Sequence, residues 1–152
     1  MSNRSRTYKT EAIVMRRTDI GEADRILTLL TPEHGKMRVV AKGIRRLTSR
    51  KAGHLELLTH VSLLIAQGRD LDIVTQAQSL DMYSAVRDDL GRLAFASYTI
   101  ELIDRFTAEL QEAGEMYTLL RWTLTLLNEG AEPERLGRYV ELKVLELAGY
   151  QP

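Results

Sequence analysis

The sequence predicts an α+β protein in which a unit of short strands comes first and a small helical bundle follows. Three observations carry that prediction. With 44% hydrophobic and 28% charged residues in a chain of 152, the composition is that of a globular protein, and such a chain buries roughly 70% of its unfolded surface, enough for a core. Near residue 80 the apolar spacing changes from short β-like runs to a helical period. The charge changes there too: residues 1–80 hold 14 Lys+Arg against 8 Asp+Glu, residues 81–152 hold 7 against 13, and the balances of +6 and −6 cancel in the zero net charge. Two units are expected, 1–80 and 81–152.

Five runs rich in Val, Ile, Leu and Thr, broken by Gly or Pro, read as strands: Thr10–Arg17, Asp24–Thr31, Lys36–Lys42, Leu57–Gln67 and Leu71–Ala77. In the first the alternation is loose. In the third it is clear, with Lys36, Arg38 and Lys42 on one face and Val40 as the exception. Thr31-Pro32-Glu33-His34-Gly35 reads as a hairpin turn, because proline presets φ and Gly35 admits positive φ. Gln67-Gly68-Arg69-Asp70 makes a second hairpin. Two hairpins joined through the long connection Gly43–Leu55 fit a small, partly open Greek-key barrel of the oligonucleotide-binding (OB) type, with an SH3-like barrel as the rival. The only candidate for a helix plugging the barrel end is Leu47–Leu58, weakly helical and expected to reduce to a loop.

After residue 80, Asp88 or Asp89 caps a helix expected to reach Leu110, with two adjoining apolar stripes. A second helix spans about Glu115 to Glu129, where Met116, Leu120 and Trp122 read as core. A third starts at Pro133 and ends at Gly149.

Several functions are disfavoured by composition. Zero cysteines remove disulfides, thiolate zinc sites, iron–sulfur clusters and cysteine nucleophiles. No apolar run approaches the roughly 20 residues of a membrane span. Met1–Lys9 is polar and basic, unlike a secretion signal, so a cytoplasmic protein is expected. His34, His54 and His60 lack metal-ligand spacing and read as a turn, a loop and a strand-edge residue. Glu11, Asp19, Glu22 and Asp24 could pair for metal-dependent cleavage, but no His or Lys partner recurs near them, and Arg25 reads as a local ion pair with Glu22 and Asp24. No phosphate-loop, nucleophile-elbow or HExxH string occurs. No catalytic residue, metal or cofactor is expected.

What remains is a basic surface. Residues 36–51 contain Lys36, Arg38, Lys42, Arg45, Arg46, Arg50 and Lys51 and not one acid. With Arg16 and Arg17 on a neighbouring strand these nine make a candidate nucleic-acid-binding surface, although adjacent strand residues point oppositely and only one of Arg16 and Arg17 can join it. Of nine Phe, Trp and Tyr residues only Tyr8 lies in the first 80, so the strand unit lacks a base-stacking platform. The chemistry left is neutralisation of phosphates, indifferent to sequence and sensitive to salt.

The order Thr10-Glu11-Ala12-Ile13-Val14, then Asp19-Ile20-Gly21-Glu22-Ala23-Asp24-Arg25-Ile26-Leu27-Thr28-Leu29-Leu30-Thr31, then His34-Gly35-Lys36 and Ala41-Lys42-Gly43-Ile44-Arg45-Arg46, resembles the start of the RecO family of bacterial recombination mediators. Arg50 to Gly68 extends the likeness, and Leu90 to Leu110 fits less sharply. The resemblance implies an OB-fold domain and a helical domain, no enzymatic activity, binding of single- and double-stranded DNA, strand annealing and help in loading RecA during DNA repair. It implies RecR and single-stranded-DNA-binding protein (SSB) as partners and a place at the nucleoid. Many members continue into a four-cysteine zinc motif, expected soon after Gly149-Tyr150-Gln151-Pro152 and missing here, which suggests a fragment. Two other readings remain open: a protein-docking module built on the helices, and an OB-fold binder of structured RNA.

Overall fold

A computed structural model describes residues 6–46 and 52–149. Its strands are β1 (Thr7–Ile20), β2 (Asp24–Thr31), β3 (Gly35–Ala41), β4 (His60–Ala66) and β5 (Asp72–Asp81), followed by helices α1 (Ser84–Arg87), α2 (Leu90–Arg105), α3 (Gly114–Asn128) and α4 (Pro133–Leu147). The architecture is mixed α+β, a five-stranded sheet and then four helices. The sheet closes on itself in the order β1-β2-β3-β5-β4, because β1 is antiparallel to β4 along its first half and to β2 along its second. A register shift between Val14 and Arg16 bends β1 where it changes partner. The remaining seam is a two-residue parallel pairing of β3 with β5, Val39 opposite Asp72 and Val40 opposite Ile73.

β1 is longer than Thr10–Arg17, and its weak alternation has a physical cause. Ala12 to Met15 are four consecutive buried residues. Ala12 and Val14 enter the barrel interior with Leu27, Leu29, Val39 and Val61. Ile13 and Met15 point the other way and join Leu30, Leu58 and the helices in a second cluster. A strand covered on both faces has no polar face to alternate with. In the β2–β3 turn, Thr31 Oγ1 donates to the Gly35 carbonyl at 2.9 Å and accepts from His34 N at 2.9 Å, while Gly35 takes φ +66°. Residues 47–51 of the expected plug lie outside the described residues. Its remainder is one 3₁₀ turn, Ala52–His54, beyond which Leu55 is fully buried in the barrel core alongside Ile44.

Asp89 caps α2 by accepting from Arg92 N at 3.0 Å, as the sequence predicts. The helix stops at Arg105, short of Leu110, because the chain turns onto β3: Leu110 takes φ +61° and donates its N–H to the Lys36 carbonyl at 2.8 Å. α1 was not expected; Asn128 Oδ1 accepts from Ala85 N and Val86 N in its first turn. Met116 and Leu120 are core, but Trp122 is 43% exposed. It lies about 200° round the helix from Leu120 and packs instead against Tyr139 of α4, with ring centroids 5.3 Å apart and the planes tilted by 59°.

His60 is also unlike its strand-edge expectation. It is buried, with Nε2 2.9 Å from Glu11 Oε1 and 3.1 Å from the Tyr117 hydroxyl, so it joins β1, β4 and α3. Burial lowers its pKa below 6.5, aided by the Arg121 charge and opposed by Glu11. An unfolded chain therefore binds more protons just below pH 6.5 than the folded one, and stability is lost as the pH is lowered through that range. Urea denaturation across pH 7.5 to 5 is expected to show that loss in the wild type and a shallower one in His60→Asn. Ile13→Ala is expected to cost about 2–5 kcal/mol, read from the same denaturation curves.

Candidate nucleic-acid interface

β1, β2 and β3 present one outward row in register, Arg16 opposite Thr28 and Thr28 opposite Arg38. Thr28 is buried beneath the two arginines' row, whereas Arg16 and Arg38 side chains are 59% and 46% exposed. Lys36 shares this face two residues before Arg38, and Lys42, exposed just past the end of β3, continues the same parity. The structure thus brings Arg16, Lys36 and Arg38 together.

The other candidates go elsewhere. Arg17 turns to the opposite face, where Nη1 contacts both carboxylate oxygens of Glu56 at 2.9 and 2.8 Å. Arg45 reaches back over the β1–β2 turn, donating from Nη2 to the Ile20 and Gly21 carbonyls at 3.1 and 2.6 Å, with Nη1 3.5 Å from Asp19. It is a clamp on the turn. Arg46 is exposed beside Gly43, and Arg50 and Lys51 lie outside the described residues. Arg25 pairs with Asp19 at 2.7 Å rather than with Glu22 or Asp24, since Asp24 Oδ1 accepts from Gly43 N at 2.7 Å. The hydrogen bond from Arg25, with the Arg45 charge beside it, holds the Asp19 carboxyl below its usual range.

Acids from the helical unit meet the three cations on the outward face. Lys36 Nζ donates to Asp104 Oδ1 at 2.8 Å and to the Asp104 carbonyl at 3.0 Å; Arg16 Nε takes the other carboxylate oxygen at 2.7 Å. Arg38 Nε pairs with Glu109 Oε1 at 2.7 Å. These two acids were not among the sequence-predicted site residues. They stand 68 and 71 positions from their partners, so nothing local in the sequence pointed to them. Lys36 and Asp104 side chains are only 13% and 14% exposed, which makes them a structural pair. Glu109 and Arg38 are 43% and 46% exposed, a solvent-screened pair worth about 0–1 kcal/mol. Arg16, Lys36 and Asp104 together keep one positive charge. Each arginine meets its carboxylate through Nε, and a guanidinium carries five donors, so both can take further acceptors.

A second surface lies on the helices. An open groove of about 700 Å³ between α3 and α4 is lined by Met116, Leu119, Trp122, Tyr139, Lys143 and Leu147. Among the described residues no group of three His, Cys, Asp or Glu side chains converges as a metal site, and no helix is long and apolar enough to cross a membrane.

Two family models match the chain: recombination protein O N terminal over residues 1–83, and recombination protein O C terminal over residues 87–152. Among curated proteins it is similar to DNA repair protein RecO of Roseiflexus sp. (strain RS-1), 49% identical over 149 residues, 98% of this chain and 52% of the relative. The protein of the same name from Bifidobacterium adolescentis is 43% identical over 148 residues, 95% of this chain and 60% of the relative. That from Pelotomaculum thermopropionicum is 41% identical over 145 residues, 95% and 56%. The chain therefore spans between half and two thirds of the length of these relatives.

Removing the Asp104 side chain leaves the largely enclosed Lys36 ammonium with only the Asp104 carbonyl. Asp104→Ala is expected to destabilise by about 3 kcal/mol in urea denaturation, and Asp104→Leu combined with Lys36→Met to recover most of it. Glu109→Gln, at the exposed pair, is expected to cost less than about 1 kcal/mol.

Proposed function

The chain belongs to the RecO family, and from that premise we propose that it grips the sugar–phosphate backbone of DNA, anneals complementary strands and supports RecA loading in repair and recombination, catalysing no reaction itself. The observation that carries this reading is the outward row of β1–β2–β3, where Arg16 and Arg38 flank Thr28 on a strand unit with one Tyr and no Phe or Trp. Two guanidiniums side by side match phosphate oxygens. The lack of stacking rings leaves base edges free to pair, and neutralising two like-charged strands lowers their repulsion. Arg46 and Lys42 extend the row toward the β1–β2 end; Lys36 and Arg45 are assigned to structural contacts, and Arg17 lies on the opposite face with Glu56. We read the closed sheet as an OB fold, supported by the crossover that places β5 beside β3, and the boundary near residue 80 as the division between a DNA-binding and a helical domain, supported by strands ending at Asp81 and helices starting at Ser84. RecR, SSB and RecA as partners, both single- and double-stranded DNA as ligands, and a nucleoid location belong to the same proposal.

The test is binding of an oligothymidylate, the matching duplex and the equivalent RNA across a salt series, with annealing of complementary strands followed in parallel. About four single-strand phosphate contacts give a slope of log K against log salt near −3. The double variant Arg16→Gln/Arg38→Gln is expected to lose roughly tenfold or more in affinity, as two charge-assisted contacts imply, while Arg17→Gln on the opposite face leaves affinity unchanged. Salt-insensitive binding, or equal loss from either variant, overturns the reading; preference for RNA favours the structured-RNA alternative.

The groove between α3 and α4 favours a second reading, docking of the SSB tail. Its rings accept an apolar side chain, and Lys143 a carboxylate in exchange for Glu146 at 3.6 Å, with Glu112 and Glu115 on the same lining opposing a strongly acidic partner. Trp122 is the protein's single tryptophan, so titration with an SSB tail peptide is expected to change its emission, and Tyr139→Ala to weaken that response.

A further inference from the structure

We infer that Glu109 sets the affinity of the outward basic face: its carboxylate occupies the place on Arg38 that a DNA phosphate takes, and binding requires its displacement. The inference rests on the backbone-binding reading above.

The segment that carries Glu109 is held where it is by the edge of β3. β5 pairs with β3 only at Val39 and Val40, which leaves the edge from Gly35 to Arg38 open to another partner. The chain leaving α2 fills it. Lys36 and Glu109 form an isolated parallel bridge, and Leu110 N donates to the Lys36 carbonyl at 2.8 Å. Gly35 lets the segment come close, since a Cβ there would lie 2.0 Å from the Gln111 carbonyl oxygen. Covering an open strand edge explains the backbone contact. It does not explain Leu110, which adopts φ +61° with 72% of its surface in solvent, a conformation in which a leucine gains nothing from its own side chain. The consequence of that geometry is the position of Glu109 over Arg38, with Nε and Oε1 2.7 Å apart.

The two acids on this face are built for different tasks. Asp104 is enclosed with Lys36 and anchors the helices to the sheet. Glu109 is open to water, as is Arg38, so their contact exchanges with other anions. Carboxylate and phosphate compete for the same guanidinium donors. A tethered carboxylate competes at high effective concentration, which a lone phosphate in solution does not match. A strand does, because its neighbouring phosphates are engaged at the same time by Arg16 and the cations beyond. The device therefore discriminates polymers from mononucleotides and free phosphate.

Oligothymidylate binding is measured across a salt series for the wild type, Glu109→Gln, Arg38→Gln, their combination, and Glu112→Gln as a neighbouring exposed acid of equal charge. Glu109→Gln is expected to bind about three- to fivefold more tightly, the equivalent of an exposed ion pair removed, and to steepen the salt slope by about 0.7. In the Arg38→Gln background the gain disappears, and Glu112→Gln stays within about twofold of the wild type. Inorganic phosphate is expected to move the Arg38 Nε–H resonance in Glu109→Gln and not in the wild type. Wild type and Glu109→Gln binding alike, or a gain that persists without Arg38, overturns this inference while leaving the backbone-binding reading in place. Failure of every variant to bind DNA at low salt removes both.

Discussion

The enclosed contact of Lys36 with Asp104 is the constraint on which the geometry of the outward face depends. A largely enclosed ammonium is stabilised by a carboxylate beside it, and this contact ties the last turn of α2 to β3. The second oxygen of the same carboxylate receives Arg16, which β1–β2 pairing places opposite Thr28. The tie of α2 to β3 determines where the chain leaves α2, and hence which residues reach the free edge of β3. A charge pair of this kind contributes little net stability compared with apolar packing, and its value here is positional.

The same arrangement changes what a cluster of cations means. Seven basic residues with no acid among them suggest a surface of uniform sign, yet folding interleaves that run with acids from the second half of the chain. The +6 and −6 halves are partly compensated where they touch. Among the described residues, Arg16 and Arg38 stay exposed together on one face of β1, β2 and β3.

How far the sequence was legible can be judged residue by residue. Strand positions, the Asp89 cap, Pro133 in the first turn of α4 and the Gly35 turn were legible because each rests on local backbone preferences. The extent of β1 was not, since one strand serves two partners and is covered on both sides. The end of α2 was not, since Leu110 leaves the helix for a hydrogen bond on β3. Trp122 was assigned to the core from periodicity alone, which does not say where a bundle stops. In the site, the cations and the opposed directions of Arg16 and Arg17 could be read from alternation. Arg45 as a turn clamp, and Asp104 and Glu109 as counter-charges, depend on contacts between distant segments that leave no periodic trace.

The double covering of β1 bears on how the polypeptide matures during synthesis. Translation proceeds from the N-terminus, so this strand is made before the other four, while β4 is not made until residues 60–66 and the helical cluster around Ile13 and Met15 includes Val140 and Val144. The first of the described strands is thus among the last to be covered on both faces. Ala12 and Val14 are covered once the strands through Val74 are made, whereas Ile13 and Met15 wait for the helices. Contacts between segments so far apart in the chain carry a loop-closure cost that local contacts do not, so the second face of this strand closes slowly.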